Sequence, residues 1–270
     1  MRKRLLAALL FSTPAFALDV SIGGKLEQGG LVIGTAPPGS AITFGDHTVP
    51  TAADGTFLVG LGRDSAETAL LKITAPNGET EIRTLQIAKR DWRIDRVNGV
   101  PQNLVTPDPD TAARIAEDSK LLRAARAVLE KEPFYRTGLI RPADGRISGV
   151  YGSQRILNGT PGSIHGGLDI ANLTGTPIKA AADGVVTLAN PGLVLSGGTV
   201  LINHGYGLQT SYIHMSRLDV TDGQHVKQGE VIGAIGATGR VTGPHLHFSV
   251  LWFDTGLDPE TILALMPAKP

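Results

Sequence analysis

Three short segments hold most of the side chains able to do chemistry. They are His165-Gly166-Gly167-Leu168-Asp169, Ser211-Tyr212-Ile213-His214-Met215 and Gly243-Pro244-His245-Leu246-His247. In a β-strand, residues i and i+2 share a face, so His245 and His247 stand side by side on one surface. As bystanders, two imidazoles this close disfavour each other's protonation; around a cation the pairing makes sense. Neutral imidazole combined with carboxylate suits Zn²⁺. His165 and Asp169 add one nitrogen and one oxygen donor from a separate segment, and the glycines between them let the backbone fold tightly. A catalytic zinc keeps three protein ligands and one open position. Five groups are available, so three can bind metal while two handle protons or stabilise an oxyanion. Spacing alone leaves that division open.

The elements that must position these residues are mainly β. Residues 136–270 hold 22 of the 34 glycines and six of the seven histidines. Strand-like runs cover 184–188, 199–203, 209–213, 230–233 and 247–250, with glycine at nearly every break, which predicts a compact antiparallel β domain. A short final helix is expected from Asp258-Pro259-Glu260, with proline at the first helical position. Residues 89–135 read as linker and helix. Asp110 is the expected N-cap of a helix over 111–132, with Ile115, Leu122 and Leu129 recurring every seven residues. That stripe is expected to pack onto a domain; its other use would be as a surface for a regulatory partner. Residues 18–88 alternate apolar runs with Asp-Gly and Asn-Gly turns, the pattern of a small immunoglobulin-like β-sandwich. His47 lies beside a turn there and is expected at a solvated surface.

Composition narrows the function. The chain has 270 residues, with 25 basic and 25 acidic side chains and no cysteine. Disulfides, thiolate-ligated zinc, thiol catalysis and a lipid-anchored cysteine are excluded. A neutral chain lacks the basic excess of a nucleic-acid binder. Arg2-Lys3-Arg4, an apolar run from Leu5 to Phe11 and Ala15-Phe16-Ala17 have the form of a secretory signal peptide over residues 1–17. Its apolar core is far short of the ~20 residues of a membrane helix. Cleavage after Ala17 leaves 22 basic against 25 acidic residues, a mildly acidic product without a membrane anchor, expected in the periplasm. A serine hydrolase is disfavoured because no G-x-S-x-G occurs.

From about Ile140 to Pro259 the chain resembles the lysostaphin-like, LytM-type zinc metallopeptidases, bacterial endopeptidases that cut peptidoglycan peptides. Besides the histidine segments, the similarity includes Gly149-Val150-Tyr151-Gly152-Ser153 and its continuation to Gly159. It also includes Ala181-Ala182-Asp183-Gly184, Asn203-His204-Gly205-Tyr206-Gly207 and Gly236 to His247. Residues Arg93 to Pro101 resemble sequence that precedes this domain in some exported members. The resemblance implies a β-roll of antiparallel sheets with the metal in an open groove. Carried over by position, it implies His165, Asp169 and His247 as Zn²⁺ ligands and His214 and His245 as catalytic histidines. Arg155 and Asn158 are expected either at the groove rim as substrate contacts or as a pair that stabilises the turn there. His204 matches a turn position outside the metal set and reads as structural, and His225 as exposed.

The function implied is that of an exported zinc metalloendopeptidase that hydrolyses cross-links or stem peptides of peptidoglycan. The alternative is a non-enzymatic cell-wall binding protein or amidase activator, the role of family members that lack these residues. All five positions are intact here. The part before residue 89 carries no catalytic set, so a regulatory protein partner would meet that part or helix 111–132.

Overall fold

A computed structural model describes residues 18–97, 108–157 and 159–268. The signal-peptide reading of residues 1–17 and part of the connector therefore fall outside the described residues. The N-terminal part forms two sheets. Strands β1 (Ser21–Gly24), β2 (Leu31–Thr35) and β5 (Thr56–Gly60) make one. The other has the order β4-β3-β6-β7, from β3 (Ala41–Phe44), β4 (His47–Val49), β6 (Thr68–Thr74) and β7 (Thr80–Gln86). Alternation sets the two faces: on β6, Leu71 and Ile73 are fully buried while Leu70 and Lys72 are exposed. These side chains join Leu31, Ile42, Phe57 and Leu58 in the shared core of the expected sandwich.

The chain continues through β8 (Ile94–Val97), helix α1 (Pro109–Arg126), β9 (Arg146–Gly149) and a hairpin of β10 (Gln154–Leu157) and β11 (Thr160–Ile164). Strand β8 pairs in parallel with β10, so part of the stretch read as connector is a strand against the segment that leads to His165.

Helix α1 differs from expectation at both ends. It starts at Pro109, and Asp108 rather than Asp110 is its N-cap, accepting from the Thr111 amide at 3.0 Å. Proline at the first helical position has no amide to satisfy. The helix stops at Arg126 because the neighbouring strands take its following backbone. The Asn203 side-chain amide donates to the Val128 carbonyl at 2.7 Å, and the Tyr206 amide donates to the Glu130 carbonyl at 3.1 Å. Leu122 and Ala125 pack on Leu188, Leu193 and Leu201, while Leu121 and Leu129 face outward.

The C-terminal part is one ten-stranded sheet. It contains β9, β12 (Leu168–Ala171), β13 (Pro177–Lys179), β14 (Gly184–Leu193), β15 (Gly197–Asn203), β16 (Leu208–Leu218), β17 (His225–Val226), β18 (Val231–Ile235), β19 (His245–Trp252) and β20 (Thr255–Leu257). The main order is β17-β14-β15-β16-β19-β12-β9 and every pair in the sheet is antiparallel. Every residue of β15 is buried. Helix α2 (Pro259–Leu265) begins where expected, capped by Asp258.

The N-terminal sandwich docks on the β19–β20 end of this sheet. Asp258 pairs with Arg90 at 2.7 Å, and its amide donates to the Gly29 carbonyl at 2.8 Å. His47 stays at the surface with about a third of its side chain exposed, but it is packed on one side. It stacks on Phe253 with ring centres 4.6 Å apart and meets the edge of Trp252 at 4.9 Å. Among the described residues, no helix is long and apolar enough to cross a membrane.

Candidate active site

Strand β19 lies between β12 and β16, and its register builds the site. Leu246 and Phe248 are fully buried in the core, so His245 and His247 face the other way. On β12, Asp169 is directly opposite His247 and Ala171 is opposite His245. The loop before β12 brings His165 to the same point. The Asp169 carboxylate oxygen Oδ1 lies 2.9 Å from His165 Nε2 and 2.8 Å from His247 Nδ1, and the two nitrogens are 3.0 Å apart. A side chain at position 149 would collide with this group, because a Cβ there would sit 2.4 Å from Asp169 Oδ2. Gly149 thus lets strand β9 approach the carboxylate.

His214 reaches the group through an irregularity. Val200 pairs with Tyr212 but Gly198 pairs with Met215, so two steps on β15 match three on β16. This is a β-bulge, which re-aims a side chain. Tyr212 faces the core against Phe248, and regular alternation would send His214 the same way. Instead His214 adopts φ +67°, and its ring comes within 4.8 Å of His245 and 6.3 Å of His247. A non-glycine residue held in that region costs on the order of 1–3 kcal/mol, so the surrounding sheet must hold it there. Its amide donates to the Ser196 carbonyl at 2.8 Å.

The outer ring nitrogens are held in a consistent way. Backbone carbonyls stand at 2.9 Å from Nδ1 of three histidines: Val150 for His165, Thr238 for His214 and Gly243 for His245. A carbonyl can only accept, so each Nδ1 carries a proton, and in the neutral ring each Nε2 offers a lone pair. His247 is reversed, with Nδ1 toward the group and Nε2 3.0 Å from the Ser249 hydroxyl. Fixing the outer nitrogen in this manner sets tautomer and ring orientation in metal sites.

Burial pushes the Asp169 carboxyl up, but in the forms of His165 and His247 that carry a proton on the nitrogen facing it, their hydrogen bonds outweigh burial and hold it well below the usual carboxylate range. Burial lowers His247 as well. Burial also brings His214 down to about 4, reinforced by His245 and His247 and opposed by its Thr238 bond.

The donor set fits a divalent cation. His165, Asp169 and His247 each offer one ligand atom, all within 4.8 Å of one another. Tetrahedral bonds of about 2.05 Å put ligand atoms roughly 3.3 Å apart, a few tenths of an ångström wider than the spacing here. His245 Nε2 stands 3.7 Å from the Asp169 oxygen, beside the triangle.

The other expected residues lie elsewhere. His204 is wholly buried, with Nδ1 2.7 Å from the Asp183 carbonyl and Nε2 2.7 Å from the Thr210 hydroxyl. His225 begins β17 with its ring edge-on to Phe134 at 6.0 Å. Asn158 and the Arg155 side chain lie outside the described residues. Sequence reasoning missed the His214 bulge and Ser249, and it missed the carbonyls that fix the tautomers. Ser249 continues the His-x-His alternation by one step and was there to be found; backbone carbonyls leave no residue-type signal.

Comparison with known proteins places the histidine segments inside a recognised domain. Residues 163–259 match peptidase family M23. The peptidoglycan DD-endopeptidase ShyC of Vibrio cholerae is 41% identical over 134 residues, 49% of this chain and 30% of that protein. The DD-carboxypeptidase/endopeptidase Mpg of Neisseria meningitidis is 37% identical over 154 residues, 56% of this chain and 33% of that protein. The matched stretches thus span about a third of each curated relative. A Pseudomonas aeruginosa crystal structure assigned to peptidase M23 matches with a TM-score of 0.71 at 26% identity, covering 90% of this chain and 96% of its own. The N-terminal sheets and connecting helix are therefore part of an architecture found in a solved relative. With the histidine segments inside the matched stretch, this chain carries a peptidase family M23 domain, the lysostaphin-like, LytM-type class that its motifs resemble.

Proposed function

We propose that this chain is an exported zinc-dependent endopeptidase that hydrolyses peptide cross-links of peptidoglycan. The observation that carries the reading is the convergence of His165, Asp169 and His247 on one point beside His214 and His245. The DD-endopeptidase names of the relatives favour a D,D cross-link as the bond cut. We place the metallopeptidase domain at 136–270, the sandwich at 18–88 and the linker with its helix at 89–135. The signal-peptide pattern of residues 1–17 supports a periplasmic location.

In this reading His165, Asp169 and His247 hold Zn²⁺, two neutral imidazoles and one carboxylate leaving a net charge of +1. Bound there, zinc supplies Lewis acidity toward the peptide carbonyl and a nucleophilic water at neutral pH. The chain's own contribution is proton handling and orientation. His214 is neutral at pH 7 with its Nε2 lone pair available, so it accepts a proton from the attacking water. His245, its Nδ1 fixed on Gly243, turns the same kind of lone pair toward the group from the adjacent strand. One such group is typically worth ~10²–10⁴-fold in rate. Val150, Thr238 and Gly243 hold three of the rings in the productive tautomer, and the Ser249 hydroxyl, which can donate or accept, orients the fourth. Arg155 and Asn158 are the candidate substrate contacts.

Digestion of purified sacculi followed by mass spectrometry of the released muropeptides tests this. Loss of cross-linked dimers, abolished by chelation and restored by Zn²⁺, is the expected result. A chain that binds sacculi, releases no fragment and stimulates a purified amidase would establish the non-enzymatic activator role instead.

A further inference from the structure

The turn Val150–Ser153 braces His165, and its buried Tyr151 donates its hydroxyl to the Gly256 carbonyl at 2.7 Å. The Val150 carbonyl orients the His165 ring at 2.9 Å. The Gly152 amide donates to the His165 carbonyl at 2.9 Å, and the His165 amide donates to the Ser153 carbonyl at 2.8 Å. Residues from the N-terminal part and the connector grip this turn from outside. Arg63, just beyond β5, donates from Nε to the Gly152 carbonyl at 2.8 Å. Trp92 covers Gly152 so closely that a Cβ there would lie 2.1 Å from the indole. The same ring meets Tyr151 edge-on at 5.6 Å. The guanidinium groups of Arg63 and Arg90 lie 5.3 and 4.6 Å from the Trp92 ring centre. Arg90 is itself tied to the buried carboxylate of Asp258 at 2.7 Å.

We propose that Arg63 and Trp92 are positioning residues for His165, so that the N-terminal part of the chain completes the metal site. The proposal rests on the metal-site reading above. Neither residue touches the ligands; both act through the turn whose carbonyl fixes the His165 tautomer. Loss of such an outer partner typically weakens metal binding ~10–100-fold.

The test is titration of the metal-free full chain with Co²⁺, reading both affinity and the visible absorption of the bound ion. Trp92→Ala and Arg63→Met are each expected to weaken binding about tenfold and to alter the absorption band. Trp92→Phe keeps a ring over Gly152 and should restore most of both. Arg136→Ala breaks the exposed 2.7 Å pair with Asp54, another contact between the same two parts, and should leave binding unchanged. If Trp92→Ala does not fold, Arg63→Met, which keeps the apolar stem and removes only the donor, decides alone. Binding and spectra equal to those of the unaltered chain in the folded variants would overturn the proposal. Equal weakening by Arg136→Ala would also overturn it, because docking in general would then be responsible. An unaltered chain that takes up no cobalt would instead overturn the metal-site reading, and this proposal with it.

Discussion

His204 and His214 lie ten residues apart at opposite ends of the β15–β16 hairpin, and burial brings both down to about 4. Both are therefore neutral imidazoles at pH 7. Their surroundings differ in one respect that matters. His204 has both ring nitrogens engaged, and the network closes behind it. The Thr210 hydroxyl is 2.9 Å from the Tyr212 hydroxyl, which accepts from the Ala181 amide at 2.8 Å. His214 has Nδ1 on the Thr238 carbonyl, and among the described residues no side chain or carbonyl bonds its Nε2. A depressed pKa thus marks both a histidine locked into the core and one whose Nε2 is left open beside the His/Asp group. The unspent lone pair, aimed by a strained backbone at a shared centre, separates them.

The largest effect that tests this contrast comes from the centre itself. His247→Ala removes a donor from the triangle, and metal content and hydrolysis should both fall to background. The loss should exceed the ~10²–10⁴-fold of a single proton-transfer group. Next comes His214→Ala, which should lower kcat by about 10²–10⁴-fold while bound zinc, measured by elemental analysis, stays at the level of the unaltered chain. Loss of metal from this variant would place His214 among the ligands and erase its distinction from them. Gly149→Ala acts indirectly, by pushing on Asp169; weaker metal retention during dialysis against a chelator is expected, with the His204 network undisturbed.

Residue types alone carried a good part of this contrast. The His-x-His alternation, the His165–Asp169 pair and the isolated His214 were visible as a constellation because, in a chain without cysteine, histidine and carboxylate are the side chains that could hold a metal. The strands around them were visible because glycine interrupts each apolar run. What escaped has a common physical cause. The bulge at His214 depends on how β15 aligns with β16, and registry between strands is a tertiary property. The early end of helix α1 follows from Asn203 and Tyr206 capturing the backbone after Ala127, a competition that periodicity within the helix does not record. His47 lies under Trp252 and Phe253 because the sandwich docks there, and strand β8 exists only because β10 offers it an edge.

His204→Asn probes the structural side of the comparison. Asparagine can still donate to the Asp183 carbonyl but leaves the Thr210 hydroxyl without its imidazole partner in a buried site. The expected cost is about 1–3 kcal/mol in urea unfolding, with hydrolysis by the folded fraction unchanged. A large loss of activity without loss of stability would give His204 a chemical role and dissolve the contrast with His214.

The smallest effect is the pH dependence of that same stability. The folded state holds His204 at about 4 by burial, against 6.5 for the free side chain. Between those values the unfolded chain binds the proton and the folded chain does not, so stability rises with pH across this window. Above pH 6.5 both states carry the neutral ring and the contribution is complete. As pH falls toward 4 it is lost at about 1 kcal/mol per pH unit. Urea midpoints measured from pH 7.5 to 4.5 in the presence of chelator should therefore fall more steeply for the unaltered chain than for His204→Asn, which has no group to protonate there. Chelation keeps metal release from contributing to the difference. Parallel curves would mean that protonated His204 is accommodated in the folded state, with the Thr210 hydroxyl turning to accept from Nε2. The closed network would then tolerate a charge that its burial opposes.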